Sequence, residues 1–91
     1  MAGEDEFVRC VAIRGYGLDL EFVGKVGVEV ELKFKHYGSF IINPFIVWFK
    51  PHKMGYDIDD LATVYEKARE VERIRQYCMY AIEVLEEVDA V

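Results

Sequence analysis

The chain has 91 residues, 53% of them hydrophobic and 31% charged, and its 17 acidic against 11 basic side chains leave a net charge of -6. That length makes a single domain, 1–91, with an adequate but not generous core; the acidic balance disfavours a broad nucleic-acid surface, which needs lysines and arginines that release counterions. No apolar run approaches the roughly 20 residues of a membrane span, and the acidic stretch from Met1 to Glu6 is not that of a signal peptide, so the expected location is cytoplasmic, away from membranes.

Neutral polar side chains are scarce: Ser39, Thr63, Asn43 and Gln76 are each the single residue of their type. Few thermolabile amides beside abundant Glu, Lys and Arg follow the compositional trend of hyperthermophile proteins.

The first fifty residues alternate with period two and are punctuated by glycine, the pattern of antiparallel strands. A first strand is expected over Glu6–Arg14, closed by a Gly15–Tyr16 turn. A second runs from Gly17 to Val23, with Leu18, Leu20 and Phe22 on one face and Asp19 and Glu21 on the other. A three-residue Lys25–Val26–Gly27 loop would set Phe22 opposite Val30, Leu20 opposite Leu32 and Leu18 opposite Phe34. The same register sets Asp19 against Lys33, but Glu21 unfavourably against Glu31. Strand three alternates cleanly, Val28, Val30, Leu32 and Phe34 inward and Glu29, Glu31, Lys33 and Lys35 outward, which is a sheet with one buried and one wet face.

After a Tyr37–Gly38 turn, strand four is expected over Ser39–Lys50, and both of its faces are apolar. Phe40, Ile42, Ile46 and Trp48 share one side; Ile41, Phe45, Val47 and Phe49 share the other. Pro44 cannot donate to a ladder, which puts this strand at an edge or gives it a bulge. An apolar edge needs a cover.

From Asp57 to Val88 there is no Gly or Pro, and one long helix fits, with Asp57 as its cap and Asp59 and Asp60 in the first turn, where carboxylates suit the dipole. Its apolar stripe changes sides. Ile58, Leu61, Tyr65 and Ala68 cluster on one face, while Ile74, Cys78, Ala81, Leu85 and Val88 cluster about 160° away at heptad-like spacing. A helix of that length spans roughly 46 Å, against about 30 Å for a compact domain of this size, so it either overhangs the sheet or breaks near Arg69–Arg73. The expected fold is α+β, a four-stranded antiparallel meander within 6–50 followed by one long helix at 57–88. Its core is expected to hold Val11, Ile13, Leu18, Leu20, Phe22, Val30, Leu32, Phe34, Phe45, Val47, Leu61 and Tyr65.

Motifs for chemistry are weak. His36 and His52 have no second ligand at metal-like spacing. Cys10 and Cys78 are too few for a disulfide framework; two buried thiols are the favoured reading and one bridge the other. Asp57, Asp59 and Asp60 are explained by capping, and the glycines fall in no nucleotide-binding pattern. Lys33, Lys35, His36 and Tyr37, and again Lys50, His52 and Lys53, make short basic stretches that this strand assignment sends toward opposite ends of the sheet. No catalytic, cofactor or metal site is expected.

Two apolar helix faces and an uncovered fourth strand point instead to a missing partner. The expectation is a non-enzymatic, homo-oligomeric interaction protein, a dimer held through Ile74, Cys78, Ala81, Leu85 and Val88, through Phe40, Ile42, Ile46 and Trp48 of strand four, or through both. Antiparallel pairing about Cys78 would bring Arg73 to Glu83 of the mate and Arg69 to Glu87, answering acidic residues at a helix C-terminus, where the dipole disfavours them. Two alternatives belong to other classes. One is an acidic inhibitor, or a nucleic-acid mimic of the kind viruses and mobile elements carry, binding a basic protein partner. The other is an enzyme subunit whose site forms across the oligomer.

Overall fold

The structure is a computed structural model and describes residues 2–89. Its elements are α1 (Ala2–Tyr16), β1 (Leu20–Val26), β2 (Glu29–Phe34), β3 (Gly38–Ile42), β4 (Val47–Pro51) and α2 (Ile58–Asp89). The strands form one antiparallel sheet in the order β1-β2-β3-β4, followed by the long C-terminal helix, as the α+β reading expects.

The expected first strand is a helix. Along residues 2–16 the buried positions are Phe7, Val8, Val11 and Gly15, a helical spacing that puts one face inward. Arg9, Ile13 and Tyr16 point to solvent. As a strand this segment would put Arg9 in one row with Val11 and Ile13, and a charge in that row counts against a strand. Asp5 and Glu6 in the opening turns suit a helix N-terminus, and Glu6 pairs with Arg9 one turn on. Gly15 lets α1 close on the sheet, since a Cβ there would press on the Leu32 side chain.

The four strands arise because Pro44 splits the expected fourth. Asn43, Pro44, Phe45 and Ile46 turn the chain back, and β3 pairs with β4 in the register Phe40↔Phe49, Ile41↔Trp48 and Ile42↔Val47. Even residues of β3 thus face odd residues of β4. Phe40, Ile42, Val47 and Phe49 pack inward, and Ile41, Ile46 and Trp48 lie outward. An apparent strand with two apolar faces becomes a hairpin with one.

The β1–β2 register also departs from expectation. Leu20 pairs with Phe34, Glu21 with Lys33 and Phe22 with Leu32, and an irregularity between Phe22 and Gly24 absorbs one residue before the Gly27 turn. This converts the unfavourable Glu21–Glu31 pair into an opposite-charge pair, a gain of a few tenths of a kcal/mol or more.

α2 is continuous over 32 residues, and the molecule measures 52 × 21 × 21 Å, so the helix overhangs the sheet and does not break. Asp57 caps it, its carboxylate accepting from the Asp60 N–H at 2.8 Å. The buried stripe is Val71, Ile74, Cys78 and Ile82, extended by the half-buried Val64, and α1 runs antiparallel across its second half. The Cys10–Cys78 bond joins the two helices across 68 residues of sequence; the bridge, not the pair of thiols, is what forms. The core contains Phe7, Val11, Leu20, Val30, Leu32, Phe40, Ile42, Val71 and Cys78, all fully buried. Ile13, Phe45, Leu61 and Tyr65, expected inside, are exposed.

Candidate interaction surface

Burial sorts the expected interface residues into two groups. Ile74 is 5% exposed, and Cys78, Phe40 and Ile42 are not exposed at all. These four are consumed within the chain, by α1 and by the sheet's inner face, and are not free for a second molecule. Ala81 is half-buried, while Arg73, Glu83, Leu85, Val88, Ile46 and Trp48 remain at the surface. Of the two apolar faces of α2, the one containing Ile74 and Cys78 is covered and the one containing Leu61 and Tyr65 is not. The stripe of Ile58, Leu61 and Tyr65, expected against the sheet, is in water, and the heptad-like seam is partly roofed by α1.

The face of α2 turned away from the sheet carries Arg69, Arg73, Gln76, Tyr80, Glu83 and Glu87, all exposed. Their spacing of 4, 3, 4, 3 and 4 is the heptad spacing of a helix pair, about 180° around the helix from Cys78. Tyr77, Val84 and Val88 flank them and are exposed as well. The Arg14 guanidinium lies 3.5 Å from the Tyr77 ring centroid, which fixes that ring at the seam's border. The two arginines precede the two glutamates, and α2 ends with no basic residue in its last turn. The four charges are the ones the sequence sets in register about Cys78, but they lie on the face opposite that residue and not along the apolar stripe that contains it.

A second surface lies at the β3–β4 turn. The Asn43 side-chain oxygen accepts from the N–H groups of Phe45 (2.8 Å) and Ile46 (2.9 Å), its amide nitrogen donates to Glu29 (3.2 Å), and the Asn43 N–H donates to the Ile46 carbonyl (3.0 Å). From the helix side the Arg75 guanidinium donates to the Pro44 carbonyl at 2.6 Å. Arg75 is itself held by Glu72 through three bonds of 2.6–3.1 Å. The hydrogen bond from Arg75 holds the Glu72 carboxyl below its ordinary value, against a smaller upward push from burial. A turn pinned from both sides presents Phe45, 83% exposed.

The basic stretches come together, contrary to expectation, because the hairpin returns Lys50 opposite Ser39 and Ser39 lies opposite Lys33. Lys33, Lys35, His36 and His52 line an open cleft of about 680 Å³ with Tyr16, Asp19 and Glu21. Two carboxylates stand across from two lysines, Glu21 directly opposite Lys33, so cross-strand charge balance accounts for the arrangement. Among the described residues no group of three or more His, Cys, Asp or Glu side chains is placed to hold a metal ion, and no helix is long and apolar enough to cross a membrane.

Comparison with protein families, with curated proteins and with solved structures finds nothing that matches this chain.

Proposed function

We propose that the protein is a non-enzymatic, self-associating structural or interaction protein of the cytoplasm, a homodimer formed by antiparallel pairing of two α2 helices through their outward faces. The observation that carries this reading is the self-complementary charge order of that face. In a two-fold pairing centred at residue 78, Arg69 meets the partner's Glu87, Arg73 meets the partner's Glu83, and Gln76 meets the partner's Tyr80. Every contact is repeated by symmetry, as an isologous interface requires. The register is the one expected from sequence, but the helix is turned half a revolution so that Cys78 faces inward.

Exposed ion pairs contribute about 0.2–1 kcal/mol each, so four of them orient the pair more than they hold it. Tyr80 within the seam and the flanking Tyr77, Val84 and Val88 supply apolar area. The arrangement also relieves a local cost, since partner arginines offset glutamates at the negative end of the α2 dipole. The thermophile-like composition and an intrachain disulfide both occur in intracellular proteins of hyperthermophiles.

The test is molar mass by light scattering after size exclusion, in low and in half-molar salt. A dimer that loosens in high salt is expected. Arg73→Glu should raise the dissociation constant about tenfold or more, and adding Glu83→Arg should restore it. A wild-type monomer at every concentration, or a double variant no better than the single, would overturn the reading.

A second reading draws on one end of the molecule. Antiparallel helices bring the N-terminus of α1 beside the last turns of α2, where a Cβ on Gly3 would touch Glu86 and Ile82. Asp5, Glu6, Glu83, Glu86 and Glu87 therefore gather at one pole, which suits a basic protein partner. Salt-sensitive capture of such a partner by the monomer would favour it.

A further inference from the structure

We infer that the pinned β3–β4 turn is a second self-association surface, in which Phe45 of one copy enters the outer-face pocket of another. The pocket has a volume of about 320 Å³ and lies on the wet side of the sheet, where Val23, Val26, Ile41 and Trp48 give it apolar walls. The irregularity in β1 between Phe22 and Gly24 and the absence of a side chain at Gly24, where an added Cβ would meet nothing, help to open it. Val23, Val26 and Trp48 are exposed, so the pocket presents unspent apolar surface of the kind that marks an interaction site.

Knob and hole are matched on one chain. A phenyl ring is smaller than the pocket, and the pocket's walls offer it an indole and three aliphatic side chains. Phe45 does not occupy the pocket of its own chain, since it stands 83% exposed. It cannot fold back easily either, because Asn43, Glu29 and the Arg75–Glu72 pair hold its backbone from two sides. A phenyl group carried on a pinned backbone has only its two side-chain torsions to order on binding. The rim carries both signs, Lys25 with Glu29 and Glu31, so two copies related by a two-fold axis can set unlike charges together. Two-fold contact lets each Phe45 fill the other's pocket at once. The pocket lies on the face of the sheet opposite the helices and the Phe45 turn at the sheet's end, so neither uses the outward face of α2 and the inference stands apart from the α2 pairing. If both hold, the assembly contains more than two copies.

The test places a photo-crosslinking phenylalanine analogue at position 45 of the full chain and irradiates an equal mixture of isotopically light and heavy protein. Mixed-label crosslinks to residues 23–26, 41 or 48 are expected. Phe45→Asp and Val26→Arg should each raise the dissociation constant of this contact about tenfold or more, with circular dichroism unchanged because both positions are at the surface. Crosslinks confined to one label, or mapping to α2, would overturn the inference, as would masses unaffected by both variants. Arg73→Glu separates the two readings: it breaks the α2 pairing and leaves the Phe45 crosslinks in place.

Discussion

Removing the Cys10–Cys78 bond should be the largest single loss of stability accessible without touching an apolar side chain. The bond closes a stretch of 68 residues. Loop-closure entropy for a segment of that length is about 15 cal/mol/K, or about 4.4 kcal/mol at room temperature, all of it exerted on the unfolded chain. An unfolding entropy of about 2.1 cal/mol/K per residue gives roughly 190 cal/mol/K for this chain, so the melting temperature should fall by about 23 °C on reduction. The fold itself should persist, because Phe7, Val8 and Val11 still bury against α2 and the sheet. Cys78 is fully buried and Cys10 half-buried, so reductant acts slowly on the native state, and the bond is best reduced in denaturant before refolding. The assay is thermal unfolding by circular dichroism of the oxidised and refolded reduced forms, with thiols counted after denaturation. A difference of less than about 5 °C, or two free thiols in the untreated protein, would refute the reasoning.

Two further substitutions follow from the geometry. At Gly38, with φ +154, a methyl group would collide with the Lys50 carbonyl and crowd the Phe49 ring and the His52 N–H, so Gly38→Ala should cost more than about 3 kcal/mol in chemical unfolding. Gly24→Ala, with nothing in reach, is the control and should be near neutral. The folded chain lowers the Glu72 carboxyl below its ordinary 4.5, so the stability this group contributes is present above that value and is lost as pH falls through the lower folded one. Glu72→Gln should therefore unfold at lower urea than wild type near about pH 7, and the gap should narrow toward about pH 3; a gap independent of pH would refute the assignment.

The strands β1 to β3 are legible because one buried face and one wet face enforce a strict period of two; Pro44, expected at an edge or a bulge within one strand, instead ends that strand and sits in a turn. What Pro44 does was not legible from periodicity. A four-residue turn changes the parity of the inward residues, and the same letters read as a two-faced strand or as a one-faced hairpin. The charge pattern could have decided the β1 register. A pairing that sets Glu21 against Glu31 is disfavoured, and a shift of two residues with one absorbed near Gly24 sets Glu21 against Lys33 instead. On α2 the sequence reading joins two things that the structure separates: the apolar stripe of Ile74 and Cys78, which is buried within the chain, and the charge order Arg69, Arg73, Glu83, Glu87, which remains outside.

The misassigned first segment has a reason in dimensions. Strands lie about 4.8 Å apart, so four of them present an inner face some 15–19 Å across, whereas one helix with its side chains is about 10–12 Å wide. A single α2 therefore leaves half of the Leu20, Phe22, Val30, Leu32 and Phe34 surface wet. The remedy is either a partner molecule or a second helix from the same chain, and residues 2–16 provide the helix. Their β-branched content favours a strand only where a neighbouring strand offers pairing and packing. The sheet has its four strands without them, and its exposed need is for cover. Once α1 is laid beside α2 the core closes within one chain, and a partner would have only the surfaces left over. The outward seam of α2 and the Phe45 turn are those surfaces.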